Sequence, residues 1–212
     1  MKKNLALILL LILGCSEEET TDREYPRVLT KGVTNISADG TTFNAEITYS
    51  SVEILDHGFV WSSLNYDPTL DNADVISLGS LTAAGAFQAT ADRCMKTGAE
   101  YKMRPYAVSS GYVVYGVAVE FTSMGSKNKV QISGFQPTTG NYGEEVVIQG
   151  DFFSAIKTQN KVYFGDYKAE VIAASQNEIT VRIPAFDPPN TSVDIRVEVE
   201  GSSAVSDEKF NF

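Results

Sequence analysis

The sequence predicts an all-β protein with two antiparallel β-sandwiches in tandem, behind a short export segment. From residue 25 onward, short runs with a period of two alternate with turn residues, which is typical of antiparallel sandwiches. No convincing amphipathic helix interrupts these runs. The chain has 212 residues, and once the export segment is removed this length fits two small sandwiches better than one large one.

The first 14 residues have the parts of a secretory signal. Two lysines follow the initiator methionine, and the apolar run Leu5–Leu13 is too short to span a bilayer as a helix. The small residue Gly14 then precedes Cys15. An ordinary cleaved signal with an incidental cysteine is the alternative, but nothing later resembles an A-x-A cleavage site. We therefore expect residues 1–14 to be removed on export.

The order Ile12-Leu13-Gly14-Cys15 resembles the lipobox of bacterial lipoproteins. This resemblance implies that Cys15 becomes the N-terminus and carries a diacylglycerol thioether and a further acyl chain such as palmitate. The following residues resemble the surface-export signal of one large group of Gram-negative anaerobes: Ser16, Glu17, Glu18 and Glu19. The three acyl chains exceed the two anchoring signals that stable membrane attachment needs. The resemblance therefore implies a lipid-anchored protein of the outer membrane that faces the cell exterior.

Residues 15–24 are predicted to form a lipidated acidic tether. The segment Ser16–Glu24 is polar, acidic and without periodicity. A flexible chain of this length has a mean end-to-end reach of roughly 15 Å. The tether is therefore expected to hold the first sandwich just above the lipid.

Composition limits the possible partners. The sequence has 17 Lys+Arg and 27 Asp+Glu, and loss of Lys2 and Lys3 leaves 15 against 27, a net charge of −12. So acidic a chain is not expected to bind nucleic acid. The single histidine, His57, excludes a multi-histidine metal site, and Cys94 alone can form neither a thiolate zinc site nor a disulfide within the mature chain. We expect no cofactor.

Residues 25–123 are predicted to form the first sandwich. In its clearest strand, Thr41–Tyr49, every second side chain from Phe43 onward is apolar or aromatic. The pair Asp39-Gly40 supplies the preceding turn, since both residues tolerate positive φ. Further strands are predicted at residues 55–62, 75–79, 86–90, 100–108 and 112–122.

The segment Met95–Tyr101 resembles the tyrosine corner of immunoglobulin-like sandwiches. In that motif Gly98 would make the bend, while the hydroxyl of Tyr101 returns to the backbone and its ring packs inward. Together with Tyr101–Ala107 and Tyr115-Gly116-Val117, this pattern is similar to a fibronectin type III domain of bacterial surface lipoproteins. Pro105 departs from the usual β-former and indicates an edge or a bulge.

A short polar linker, residues 124–128, separates the first sandwich from the second, residues 129–212. We expect the two to fold independently, since this linker is too short and polar to bury. In the second part, alternation is clearest at Val193–Val199. The series P-x-x-G, G-x-x-F, N-x-V-x-F-G and I-T-V-x-I-P is similar to the IPT/TIG family, an immunoglobulin-like fold of cell-surface receptors and bacterial surface proteins.

Nothing in the sequence predicts an enzyme. Asp67, Asp71 and Asp74 crowd one loop, but the loop lacks the glycine and the terminal glutamate of an EF-hand, so a solvated acidic loop is expected. His57 has no marked nucleophile to serve and is expected at the surface. Cys94 is expected to be an inert core residue.

Aromatic residues are the remaining signal, because sugar CH faces stack on exposed rings. Strand alternation turns Tyr163 outward and a turn exposes Tyr167, so both are candidate ligand-binding residues. The alternative is that both rings pack against the first domain or a neighbouring loop. Tyr106 and Arg104 share a predicted outward face and could form a cation-π pair instead of a binding surface. The direction of Trp61 is ambiguous. Six other aromatic residues are predicted to point inward: Phe43, Tyr49, Tyr101, Phe121, Phe153 and Phe164.

Two functions follow from these observations. The first is a non-catalytic surface binding module for a polysaccharide or a surface protein. The second is a structural spacer or scaffold for a partner at the outer membrane surface. Several exposed tyrosines would favour binding, and a rigid contact between the sandwiches with a featureless surface would favour spacing.

Overall fold

A computed structural model describes residues 25–63, 65–185 and 192–212. Within these ranges the regular structure is all β apart from one 3₁₀ turn, which confirms the predicted fold class. No helix in the described ranges is long and apolar enough to cross a membrane. The predicted lipidation site Cys15 and the export signal Ser16–Glu19 lie outside the described residues.

The first sandwich consists of two antiparallel sheets. One sheet has the strand order β1-β2-β5, and the other has the order β4-β3-β6-β7 with β8 also paired to β6. The strands are β1 Arg27–Ser37, β2 Gly40–Tyr49, β3 Ile54–Ser62, β4 Asp74–Ser77, β5 Gly85–Ala91, β6 Glu100–Ser109, β7 Tyr112–Tyr115 and β8 Val119–Thr122.

Two features of these strands differ from the sequence pattern. The predicted strand 112–122 is two strands, β7 and β8. The pattern also does not mark β1, because Gly32 and Asn35 have positive φ and the register shifts twice beside them. Such bulges break the period of two on which strand prediction depends.

Aromatic rings fill the core of the first sandwich. Phe43 lies 5.6 Å from Phe59 and 5.9 Å from Trp61 between ring centres, so Trp61 is a core residue. Phe121 completes the cluster at 5.6 Å from Phe43. The inward prediction is wrong for Tyr49, which is 40% exposed, because it ends β2 beyond the cluster.

His57 is buried, so the prediction of a surface histidine is wrong. It is 4% exposed, and its ring packs edge-on against Phe87 at 4.8 Å. The ring nitrogen Nδ1 lies 2.7 Å from the carbonyl oxygen of Gly79. This hydrogen bond offsets the burial of a polar ring, which explains a histidine between the sheets.

The face that carries Arg104 and Tyr106 is also covered. Tyr106 is fully buried in a cluster with Ala73 and Leu70 from the segment before β4, so its predicted outward position is wrong. Its hydroxyl donates to Asp56 Oδ2 at 2.8 Å. The Arg104 guanidinium instead lies 4.7 Å from the ring centre of Tyr115. Alternation identified the shared face but not the loop that packs on it.

The second sandwich is one curved antiparallel arrangement of seven strands in the order β15-β14-β11-β12-β13-β10-β9. Its buried side chains form a single cluster that includes Val146, Phe164, Ile195 and Phe210. The elements are β9 Gln131–Gln136, β10 Glu145–Asp151, a 3₁₀ turn Lys157–Gln159, β11 Asn160–Phe164, β12 Tyr167–Ala174, β13 Glu178–Arg182, β14 Ser192–Val199 and β15 Ser202–Asn211.

Two residues of the motif series have clear structural roles. A Cβ atom on Gly150 would overlap the carbonyl oxygen of Gln131 and lie 2.6 Å from the ring of Phe153, so the G-x-x-F spacing is a packing requirement. Asn160 is buried and donates through Nδ2 to the carbonyls of Ser154, at 2.7 Å, and Ile156, at 3.0 Å. Its Oδ1 accepts from the Ser154 amide at 3.1 Å. Asn160 therefore fixes the loop before β11.

This loop receives Asp74 from the first sandwich. Asp74 is 1% exposed, and its Oδ1 accepts from the Ala155 amide at 2.9 Å. Its Oδ2 lies 3.1 Å from Ser154 Oγ. Burial raises the pKa of Asp74 to about 6. The solvated-loop prediction is wrong for Asp74, although Asp67 and Asp71 are exposed as predicted.

Cys94 also crosses the junction. It is buried as predicted, but its side chain belongs to the hydrophobic cluster of the second sandwich. Its thiol lies 3.5 Å from the carbonyl oxygens of Phe152 and Phe153. Burial raises the pKa of the Cys94 thiol well above its usual value, so the uncharged thiol is the packed form.

Tyr101 adds a third contact between the sandwiches. Its ring is buried, and its hydroxyl accepts from the Lys96 amide at 2.8 Å, five residues upstream. Gly98 lies in the intervening bend with φ +77°. The same hydroxyl donates to Glu200 Oε2 of the second sandwich at 2.9 Å. The hydroxyl of Tyr101 therefore both closes the tyrosine corner and joins the two domains.

Candidate ligand-binding groove

The hairpin of β11 and β12 carries both predicted tyrosines. Phe164 pairs with Tyr167 across a turn in which Gly165 has φ +59°. Tyr163 and Tyr167 are both half-buried instead of fully exposed. The ring of Tyr163 lies beneath the guanidinium of Arg196, 4.4 Å from the ring centre. One face of Tyr163 is therefore already occupied by a cation.

A groove of about 460 Å³ opens beside this hairpin. It lies where β12 begins and β13 ends, so it is at the end of the sandwich opposite to the junction with the first domain. The structure places Tyr167 in the groove and leaves Tyr163 outside its lining. The lining residues are Tyr142, Asp166, Tyr167, Lys168, Glu170, Arg182 and residues 183–185.

Tyr142 also lines the groove, although it was not among the predicted ligand-binding residues. It is 70% exposed, the largest fraction among the exposed tyrosines, and it lies in the turn before β10. The Gly143 amide donates to the carbonyl of Ile183 at 3.0 Å, and the Asn141 amide donates to Glu144 Oε2 at 2.9 Å. An aromatic residue between asparagine and glycine in a turn was the available signal, since such a turn leaves its side chain in solvent.

Charged side chains line the groove together with the two rings. Arg182 lies opposite Glu170 across the β12–β13 pair, with 3.8 Å between the charged atoms, and 3.5 Å from Glu145 on β10. These two ion pairs join Arg182 to the strands on either side of β13. Lys168 and Asp166 are exposed and also line the groove. The groove thus combines aromatic faces with hydrogen-bond donors and acceptors.

This arrangement suits a ligand with apolar CH faces and many hydroxyls. A pyranose ring can stack on tyrosine, while its hydroxyls bind carboxylate, ammonium and guanidinium groups. Most ligand sites share this pairing of aromatic surface with a few oriented polar groups. Over the described part of the chain, no group of three or more His, Cys, Asp or Glu side chains is arranged to hold a metal ion.

Comparison with known families identifies the domain that carries the groove. Residues 131–212 match the model of the IPT/TIG domain family. An IPT/TIG domain is therefore present, and it forms the second sandwich. A comparison with curated proteins found no match.

Several solved structures are similar to parts of the chain. An auxiliary nutrient binding protein from Bacteroides ovatus is 28% identical over 40% of this chain and 21% of its own, with a TM-score of 0.37. A protein from a complex xyloglucan utilization locus in Bacteroides uniformis is 14% identical over 88% and 49%, with a TM-score of 0.37. A surface glycan-binding protein from Prevotella bryantii is 17% identical over 88% and 42%, with a TM-score of 0.40. The chain spans less than half the length of each.

Proposed function

We propose that the protein is a non-catalytic cell-surface lipoprotein that binds glycan through the groove on its IPT/TIG domain. The observation that carries this proposal is the pair Tyr142 and Tyr167, which line one groove together with the ion-paired Arg182. Tyr142 supplies a largely free ring, and the charged residues supply partners for sugar hydroxyls. The same groove could take a surface protein, but the mixture of rings and charges favours a saccharide.

The expected affinity is low. A tyrosine contact at a partly exposed surface contributes about 1 to 2 kcal/mol, so two rings with a few hydrogen bonds give a dissociation constant of about millimolar to tens of micromolar. Many copies on one cell would then hold a polymer through multivalency. A surface lipoprotein meets this requirement, because its copies share one membrane.

Replacing Tyr142 with alanine is expected to weaken polysaccharide binding about tenfold, since about 1.4 kcal/mol of stacking is lost. Tyr142→Phe keeps the ring and should retain most of the affinity. Mobility in gels that contain a panel of neutral polysaccharides measures the effect, and Tyr112→Ala, an exposed tyrosine on the first sandwich, is the matched control.

Tyr167→Ala should also weaken polysaccharide binding. Tyr163→Ala should weaken it less, because the Arg196 guanidinium already covers one face of the Tyr163 ring. The thermal midpoint separates binding from packing: an unchanged midpoint with weaker retention supports the groove. Undiminished retention in the double variant Tyr142→Ala, Tyr167→Ala would exclude it.

The proposed location rests on the sequence around Cys15. The lipobox and the acidic residues Ser16–Glu19 support an acylated N-terminus at the outer membrane, facing the exterior. Cys15→Ala is expected to abolish the anchor and release the protein from the outer-membrane fraction on cell fractionation. Retention of the variant at the parent's level would contradict the anchor, while Cys94→Ala provides a cysteine control outside the lipobox.

We further propose that residues 25–123 are a fibronectin type III-like spacer joined by residues 124–128 to the binding domain. The strand orders β1-β2-β5 and β4-β3-β6-β7 and the corner geometry of Tyr101 support this assignment. Spacing as the main role is the second candidate function. The buried contacts of Asp74 and Cys94 favour it, because they hold the two sandwiches in a fixed relation.

A further inference from the structure

A second cavity lies between the two sandwiches, at the opposite end of β11 from the tyrosine groove. Its volume is about 600 Å³. Clefts between domains are preferred sites for ligands because two surfaces converge there. Lys96 comes from the first sandwich and Lys161 from the second. The other lining residues are Ser63, Thr158, Gln159, Glu198, Glu200, Gly201, Ser202 and Ser203.

Hydrogen bonds between the domains lie at this cavity. The hydroxyl of Ser63 accepts from Gln159 Nε2 at 2.8 Å and donates to Glu200 Oε1 at 3.3 Å. The other oxygen of Glu200 accepts from Tyr101. Glu200 has φ +44°, a left-handed conformation that is uncommon outside glycine, asparagine and aspartate. The turn thus keeps a strained conformation that places the Glu200 carboxylate at the junction.

The carboxylates of the cavity already have partners. Glu200 accepts hydrogen bonds from Tyr101 and Ser63. Glu198 forms an ion pair with Arg196. The charge of Glu198 is thus balanced by Arg196, while Glu200 remains an anion whose two oxygens each accept a hydrogen bond.

The two lysines differ in this respect. Across the described ranges, no carboxylate lies within 4.0 Å of the ammonium group of Lys96 or Lys161. The stem of Lys96 packs on the turn at Gly201, where an added Cβ would lie 3.3 Å from Lys96 Cγ. Counted with Arg196, which neutralises Glu198, the two lysines outnumber the remaining carboxylate of Glu200, so the local charge at the cavity is positive in a chain whose net charge is −10.

We infer that this cavity binds the anionic group of an acidic saccharide, either the carboxylate of a uronic acid or a sulfate ester. Lys96 and Lys161 supply the charge, and Thr158 and Ser203 supply hydroxyls for the sugar ring. The acidic surface elsewhere would repel such a ligand, so the two lysines select where it binds. This site is separate from the tyrosine groove and does not depend on it.

The test measures binding of trigalacturonate and of its fully methyl-esterified, neutral counterpart to the mature chain by titration calorimetry. The expected result is at least tenfold tighter binding of the acid form, and a loss of that preference when sodium chloride rises from about 50 to about 300 mM. Galactose 6-sulfate against galactose forms the second arm, which distinguishes sulfate from carboxylate. Equal binding of the charged and neutral members in both arms would overturn the inference.

Variants locate the site. Lys96→Met with Lys161→Met keeps the side-chain volume and is expected to lower the affinity for the acidic probe at least tenfold, whereas Lys209→Met, an exposed lysine elsewhere, leaves it unchanged. Lys96→Gln with Lys161→Gln repeats the test if the methionine variant does not fold. Tyr142→Ala should change the affinity for the acidic and the neutral probe by the same factor, so the preference for the acid form survives and separates this site from the groove. An unchanged affinity in both double variants would overturn the inference.

Discussion

Asp74→Asn is expected to remove most of the pH dependence of unfolding that the parent shows between about pH 4 and about pH 7. Burial raises the pKa of Asp74 from 3.8 to about 6 in the folded protein. The protonated carboxyl therefore contributes stability that is fully present below pH 3.8 and is lost as the pH rises through about 6. A difference of about two pKa units corresponds to about 3 kcal/mol.

Asparagine mimics the protonated carboxyl at this position. The single hydroxyl hydrogen of Ser154 lies between Asp74 Oδ2, at 3.1 Å, and Gln159 Oε1, at 2.8 Å, and it can serve only one of them. A protonated Asp74 donates to Ser154 and frees that hydrogen for Gln159. The Nδ2 group of an asparagine donates in the same way, while its Oδ1 still accepts from the Ala155 amide.

Urea unfolding at pH 4.5, 6 and 7.5 measures this effect. The parent should lose about 2 kcal/mol of unfolding free energy between pH 4.5 and pH 7.5 through Asp74, since the full effect of about 3 kcal/mol is present only below pH 3.8, and Asp74→Asn should lose little. Asp71→Asn is the matched control, because Asp71 is exposed three residues away. An equal pH slope in the parent and in Asp74→Asn would contradict the assignment.

Asn160→Ala is expected to destabilise the IPT/TIG domain by about 3 kcal/mol. The change leaves the Ser154 amide and the Ser154 carbonyl without their partner, and each buried unsatisfied group costs about 1 to 3 kcal/mol. The Ile156 carbonyl loses one donor but still accepts from the Gln159 amide at 3.0 Å. The loop that they shape also receives Asp74, so the junction between the domains should weaken with it.

The matched control for this change is Asn177→Ala. Asn177 also bonds through Nδ2, to Asp151 at 2.8 Å, but it is exposed in a turn, so water can replace the bond. Denaturant unfolding of the two variants should separate them by about 2 kcal/mol or more. Equal stabilities would show that the buried amide is not what holds the loop.

The sequence was sufficient for the parts of the fold that depend on local alternation. The runs around Phe43 and Val193–Val199 have one buried face, so their period of two predicted strands correctly. The bulged strand β1 has no such period. Tyr106 and His57 could not be placed, because what covers them comes from other segments: Leu70 and Ala73 for the tyrosine, Phe87 and Gly79 for the histidine.

The candidate sites were predictable to a smaller extent. Turn chemistry predicted an exposed Tyr167, which lies in the groove but is half-buried at the start of β12, and the same reasoning applied to Tyr142 would have predicted an exposed ring there. The burial of Asp74 could not be read from its surroundings in the chain, since the groups that bind it, Ser154 and Ala155, come 80 residues later. The cavity between the domains likewise depends on how two sandwiches meet, which neither strand pattern contains.

Because Asp74 is buried where the two sandwiches meet, their association is coupled to the binding of a proton by its carboxyl group. The N-terminal sandwich is synthesised first, and until the second is complete its end with Asp74 is open to water, where the carboxyl is ionised above about pH 4. Docking then places Asp74 against Ser154 and Ala155 with its pKa at about 6. Between these two values the assembly of the junction takes up one proton from the medium. The contact between the two sandwiches is therefore expected to weaken as the pH rises through about 6.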